Sequence, residues 1–129
     1  MIVADSSYLI EALLRNAELF SQESFVAPDL ALYEIGNVLW RHETVIRDIE
    51  AASEFLSLLE ELISAEAITL VRPDGELIRD AHNLSVKHKA PFYDTIFVAL
   101  ALKLKLKLET FDKAQIRILS EEIGDKIGN

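Results

Sequence analysis

Short apolar runs alternate with helix-length amphipathic segments along this chain of 129 residues, and that alternation leaves few folds open. Met1–Ala4 reads as a short buried strand. Ser6 then N-caps a helix that puts Leu9, Ile10, Leu13 and Leu14 on one face. Phe25–Ala27 is a second strand, closed by Pro28, and Asp29 caps a helix bearing Leu32, Ile35, Val38 and Leu39. A third helix is expected over 48–65, where Ile49, Ala52, Phe55, Leu56, Leu59, Leu62 and Ile63 recur at helical spacing. Ala67–Val71 forms a third strand, ended by Pro73-Asp74-Gly75. A helix through Leu77, Ile78, Ala81 and Leu84 follows. Pro91 precedes another over 93–103, Leu106–Phe111 reads as a fourth strand, and a last helix runs through Ile116, Ile118 and Leu119 to Gly124. Strands separated by helices build βαβ units, so the expected fold class is α/β, with a parallel sheet covered on both faces.

The length fits one domain over 1–129, large enough to bury a core without staples. Half the residues are hydrophobic and 27% are charged, which excludes a disordered chain. Cysteine is absent, and with it disulfides, thiolate zinc sites and a cysteine nucleophile. The N-terminus has no basic leader and no apolar stretch reaches the roughly 18 residues of a membrane span, so the expectation is a cytoplasmic protein with no membrane partner. A net charge of −9 argues against a broad basic nucleic-acid footprint and in favour of a basic peptide partner. It leaves room for a nuclease that attracts its substrate locally.

Four carboxylates, Asp5, Glu34, Asp94 and Asp112, sit where packing does not explain them. Asp5 and Asp112 each lie just past an expected strand, Asp94 opens the helix leading to the fourth strand, and Glu34 lies on the helix after the second. In open parallel sheets, ligands bind beyond the carboxyl ends of the strands where the strand order reverses. If the first and fourth strands are neighbours there, these acids converge. Carboxylates about 5 Å apart repel by roughly 3 kcal/mol per pair at an effective dielectric near 20, so four together call for cations or raised pKa values. Mg²⁺ and Mn²⁺ take oxygen ligands, and such ions serve in-line phosphodiester displacement. Metal-assisted phosphodiester hydrolysis is the reaction class that fits. At any one position, helix capping explains an acid equally well.

The segments carrying these acids also have a familiar look. Val3-Ala4-Asp5-Ser6-Ser7-Tyr8-Leu9-Ile10 resembles the opening of a PIN domain. Ala27-Pro28-Asp29-Leu30 with Glu34 and Asn37 resembles that family's second motif, Tyr93-Asp94-Thr95-Ile96-Phe97-Val98-Ala99-Leu100-Ala101 its third, and Thr110-Phe111-Asp112 its fourth. Length and motif order are similar to the VapC-type toxins of VapBC toxin–antitoxin pairs, and the likeness spans about residues 1–120. The resemblance implies a PIN-like three-layer α/β/α sandwich with a central parallel sheet of four to five strands. It further implies a Mg²⁺- or Mn²⁺-dependent endoribonuclease with Asp5, Glu34, Asp94 and Asp112 as catalytic, metal-binding acids. Ser6 or Thr110 would orient a carboxylate or a water, and Asn37 would line the same face as Glu34. Implied partners are an RNA substrate, a second copy of the chain and a small VapB-type antitoxin. Lys103–Leu108 departs from the pattern, because the family usually has a glycine in the turn into the fourth strand.

Other residues have plainer readings. Lys103, Lys105 and Lys107 alternate as lysines that solvate an edge do. Arg41 reads as an ion-pair partner or a phosphate contact. His42, His82 and His88 form no metal motif, and Trp40, Tyr8 and Phe20 read as core or dimer contacts. Strand alternation should aim Glu109 away from Asp112. Alternatives at this stage are a PIN nuclease of RNA processing or decay without an antitoxin, and a non-catalytic module holding a structural ion or basic peptide. A receiver-like phosphoacceptor would want further acids beside Asp5, where the chain has Ser6-Ser7-Tyr8.

Overall fold

Four parallel strands in the order β3-β2-β1-β4 form the central sheet of the computed structural model, which describes residues 1–128 and side chains to 124. The strands are β1 (Ile2–Ala4), β2 (Phe25–Pro28), β3 (Ile68–Val71) and β4 (Leu108–Glu109). Between them run α1 (Ser6–Arg15), the single turn α2 (Leu19–Gln22), α3 (Leu30–Arg41), α4 (Ser53–Ser64), α5 (Gly75–His88) and α6 (Phe92–Leu104). Helix α7 (Lys113–Gly128) closes the chain. Helices α1, α3 and α4 pack together, as do α5, α6 and α7, giving the α/β/α sandwich.

Register explains why this sheet makes a site. Val3 lies opposite Val26 on one side and Leu108 on the other, so β1 is central. The chain builds outward from β1 through β2 to β3, then returns to place β4 on the opposite side of β1. The strand order therefore reverses between β1 and β4, and the carboxyl ends of those two strands open a crevice. The core lies against both faces. Val3, Ala4, Phe25, Val26 and Ile68 come from the strands, Leu9, Ile35 and Leu39 from one helix layer, and Leu77, Phe97 and Ile118 from the other. Helix α6 is buried continuously from Thr95 to Ala101, as a helix is when it is covered on every side.

Local structure departs from the sequence expectations in several places. The cap of α1 is Asp5, not Ser6, because the Asp5 carboxylate accepts the Tyr8 backbone N–H. Asp29 makes no capping bond with its side chain, whereas Asp74 caps α5 through the Leu77 N–H. The helix expected over 48–65 begins only at Ser53. A π-helical turn, His42–Ile46, extends α3, and Arg47 in the left-handed region (φ 62°) breaks the helical path. There the His42 ring meets the Asp48 carboxylate at 2.7 Å, and Glu43 accepts the Ala52 N–H at 2.8 Å. Only Leu108–Glu109 of the strand expected over 106–111 pairs. The Leu106 N–H is taken by the Ala101 carbonyl at the end of α6, and Asp112 N–H turns back onto Thr110 Oγ1. Phe20 is buried and Tyr8 packs against the core, but Trp40 is 52% exposed and belongs to no core.

Candidate active site

Asp5, Glu34, Asp94 and Asp112 all line one cavity of about 320 Å³ at the carboxyl ends of β1 and β4, together with Ser6, Ser7, Tyr93, Phe97, Phe111 and Gln115. Asp5 is the deepest, 4% exposed, and its carboxylate is fully engaged. Its Oδ1 accepts from Ser7 Oγ at 2.6 Å and the Tyr8 N–H at 3.0 Å. Its Oδ2 accepts from Thr110 Oγ1 at 2.7 Å and Gln115 Nε2 at 3.2 Å. Four donors from three segments thus fix one acid, which is how a buried carboxylate remains tolerable.

The other three acids stand around it. Glu34 projects from α3, and its Oε1 accepts from Ser6 Oγ at 2.7 Å. Desolvation raises the Glu34 pKa above the ordinary carboxylate range. The Ser6 bond opposes that rise, and the charges of Asp5 and Asp94 add to it. Asp94, in the first turn of α6, is raised by desolvation and then by the charge of Asp112, with Asp5 adding a smaller push and the neighbouring Gln115 amide pulling the other way. In both, burial is the first cause and the neighbouring carboxylates add to it. Asp112 additionally caps α7 by accepting the Gln115 N–H at 3.1 Å.

Two aromatic rings border the acids. Tyr93 is 65% exposed and Phe111 is 62% exposed. Phe111 stacks on Tyr8 with ring centroids 5.7 Å apart, and its N–H reaches Ser7 Oγ at 3.3 Å. Asn37, one helical turn beyond Glu34, is exposed and is not among the residues lining the cavity. Glu109 points elsewhere and pairs with Lys107 at 2.6 Å. Lys103 pairs with Asp74 at 3.1 Å, and His88 lies between Glu121 and Glu122.

The sequence reading missed Ser7, Tyr93, Phe111 and Gln115 as members of this cavity. Ser7, Tyr93 and Phe111, like Phe97, lie inside the motif segments that carry the acids, with no role assigned to them there. Gln115 gave no signal of its own in the sequence, and only the fold brings it to Asp5.

The donor set is all oxygen, the chemistry that hard divalent cations take. Yet no group of three His, Asp or Glu side chains among the described residues is close enough to enclose a bare ion. The lining and the mutual charge effects nevertheless place the acids around one cavity.

Comparison with known proteins bears on the family and the fold. The sequence model of the PIN domain matches residues 2–119. Over 87 residues the chain is 39% identical to Ribonuclease VapC3 of Pyrobaculum aerophilum, a match covering 66% of this chain and 63% of that protein's length. The fold is similar to the crystal structure of PAE2754 from Pyrobaculum aerophilum, with a TM-score of 0.74 over 99% of this chain and 96% of that one. At 18% identity, that likeness concerns the fold alone.

Proposed function

The chain belongs to the PIN domain family, and from that premise we propose that it is a metal-dependent endoribonuclease of the VapC toxin kind. The observation that carries the proposal is the meeting of four carboxylates from four separate segments in one cavity at the strand-order reversal. A protein built only for stability has no reason to gather that charge, and the raised Glu34 and Asp94 values register its cost.

Asp94, Asp112 and Glu34 would hold the cation, with Asp5 as the fixed base of the cup. A bound Mg²⁺ or Mn²⁺ supplies an activated water and neutralises charge on the scissile phosphate. The chain's own contribution is positional. Thr110 and Gln115 fix Asp5 from above β4, and Ser6 fixes Glu34 from α1. Tyr93 and Phe111, exposed at the border, offer faces on which unpaired bases stack, which favours single-stranded RNA over a duplex.

With a net charge of −9, the protein recruits substrate through the cation and not through a basic surface. The same acidic cup suits a basic side chain of a small VapB-type antitoxin, which would silence the enzyme by occupying the cation's place. The groove lined by Leu32, Leu56, Leu59 and Ile63 gives the apolar part of such a peptide somewhere to lie. A homodimer is the expected assembly, acting in the cytoplasm; among the described residues no helix is long and apolar enough to cross a membrane.

Asp94→Asn tests the proposal. The variant is expected to fold like the parent by circular dichroism and to lose at least about a hundredfold in Mn²⁺-dependent RNA cleavage, the scale of losing electrostatic stabilisation at a reacting centre. Undiminished cleavage by the purified variant would overturn the assignment.

A further inference from the structure

We propose that Gln115 is a positioning residue of the acidic site, its side-chain amide bridging Asp5 and Asp94 and holding the two carboxylates side by side before any cation arrives. The inference rests on the cation-binding reading of these acids and adds a residue to it. Asp112 and Gln115 have the spacing of a capping box, in which the glutamine side chain reaches back to the backbone N–H of the cap residue. Half of that box is present, since the Gln115 N–H donates to Asp112 Oδ1 at 3.1 Å. The other half is not. The Asp112 N–H donates to Thr110 Oγ1 at 2.9 Å instead, which releases the Gln115 side chain from its local task.

The released side chain is 2% exposed and lines the cavity. Its Nε2 donates to Asp5 Oδ2 at 3.2 Å, and Asp94 lines the same cavity, where the Gln115 amide opposes the rise that burial gives its pKa. Its Oε1 is buried without a partner. A glutamine kept for packing or capping would use its oxygen as readily as its nitrogen. Here the oxygen is left unpaired while the N–H group serves the acids. The amide presents the positive end of a neutral dipole to two carboxylates that otherwise repel, so the pair is preset for a cation without a competing charge in the site.

Gln22 and Gln115 are the only glutamines, so glutamine-selective ¹⁵N labelling of the cation-free protein gives two side-chain amide pairs to compare. The Gln115 pair is expected to exchange with solvent at least about tenfold more slowly than the exposed Gln22 pair, as hydrogen-bonded buried amides do, and to move in Asp94→Asn. Gln115→Met, close in volume but without donors, is expected to weaken Mn²⁺ binding about tenfold by calorimetry, the usual scale for outer partners of metal ligands. Gln115→Glu is expected to lower the melting temperature of the cation-free protein and to regain it on adding Mn²⁺. Gln115 resonances unmoved by Asp94→Asn, or a folded Gln115→Met with parental Mn²⁺ affinity, would overturn the proposal. If Gln115→Met does not fold, or the parent binds no Mn²⁺, the resonance comparison decides. Failure of the parent to cut RNA would strike the proposed activity and leave the resonance comparison standing.

Discussion

Asp5 does more in this structure than contribute a charge. It ends β1, caps α1, and gathers bonds from Ser7, Tyr8, Thr110 and Gln115. Thr110 offers a direct test among those partners, because its hydroxyl both donates to Asp5 and accepts from the Asp112 N–H. Thr110→Val keeps the shape and removes both bonds. It is expected to cost about 1.5–3 kcal/mol in urea denaturation, the range for hydrogen bonds to charged groups. The raised pKa values carry a pH prediction whose sign is fixed. Glu34 and Asp94 bind protons more tightly in the folded protein than in the unfolded chain, so cation-free stability falls as pH rises from the ordinary carboxyl range through their raised values. Asp94→Asn should flatten that fall above the ordinary carboxyl range, measured by calorimetry in chelator. Curves parallel to the parent's would contradict the charge-crowding account. At this scale the acids were legible because each adjoins an apolar run that packing explains without it. Gln115 was not, because only the return of α7 to β1 brings it to Asp5. The confusion of Ser6 with Asp5 has a different origin, since both residue types make good N-caps.

Elements were legible wherever an apolar repeat ended in recognisable chemistry, and overran where it did not. Asp74 closes one segment and opens α5, so that boundary could be read. The repeat through Ile49 and Ala52 continues in phase with α4 although Arg47 has already turned the chain, and phase alone cannot reveal a left-handed residue. In the stretch 103–108, which lacks a glycine, a lysine takes the left-handed conformation that favours glycine. Lys105 holds φ 56° and caps α6 by donating its N–H to Ala101 and Leu102 carbonyls. Glycine adopts that conformation without the Cβ clash that other residues suffer. Lys105→Gly is therefore expected to stabilise the protein by about 0.5–1 kcal/mol, the left-handed penalty less the added chain entropy. A melting temperature lower than the parent's would show that the lysine side chain has a function in the turn.

Across the whole molecule, one topological fact converts scattered acids into a site. The sequence order of strands is β1 to β4, but the spatial order reverses at β1, so residues about a hundred positions apart become neighbours. The alternation of strands and helices made the parallel sheet legible; the adjacency of β1 and β4 was conditional until the register was known. Helix α7 reaches that junction through the Gln115 bond to Asp5, and its Ile118 is fully buried in the core. Ile118→Ala is expected to cost about 2–5 kcal/mol and to loosen Mn²⁺ binding with it. The central claim is that Asp5, Glu34, Asp94 and Asp112 form one cation-holding cup. The most direct measurement is anomalous diffraction from crystals soaked in Mn²⁺. The account predicts a Mn²⁺ peak in the cavity between Asp94 and Asp112, with water completing its ligands. Peaks confined to the protein surface, with that cavity empty of metal at saturating Mn²⁺, would contradict it.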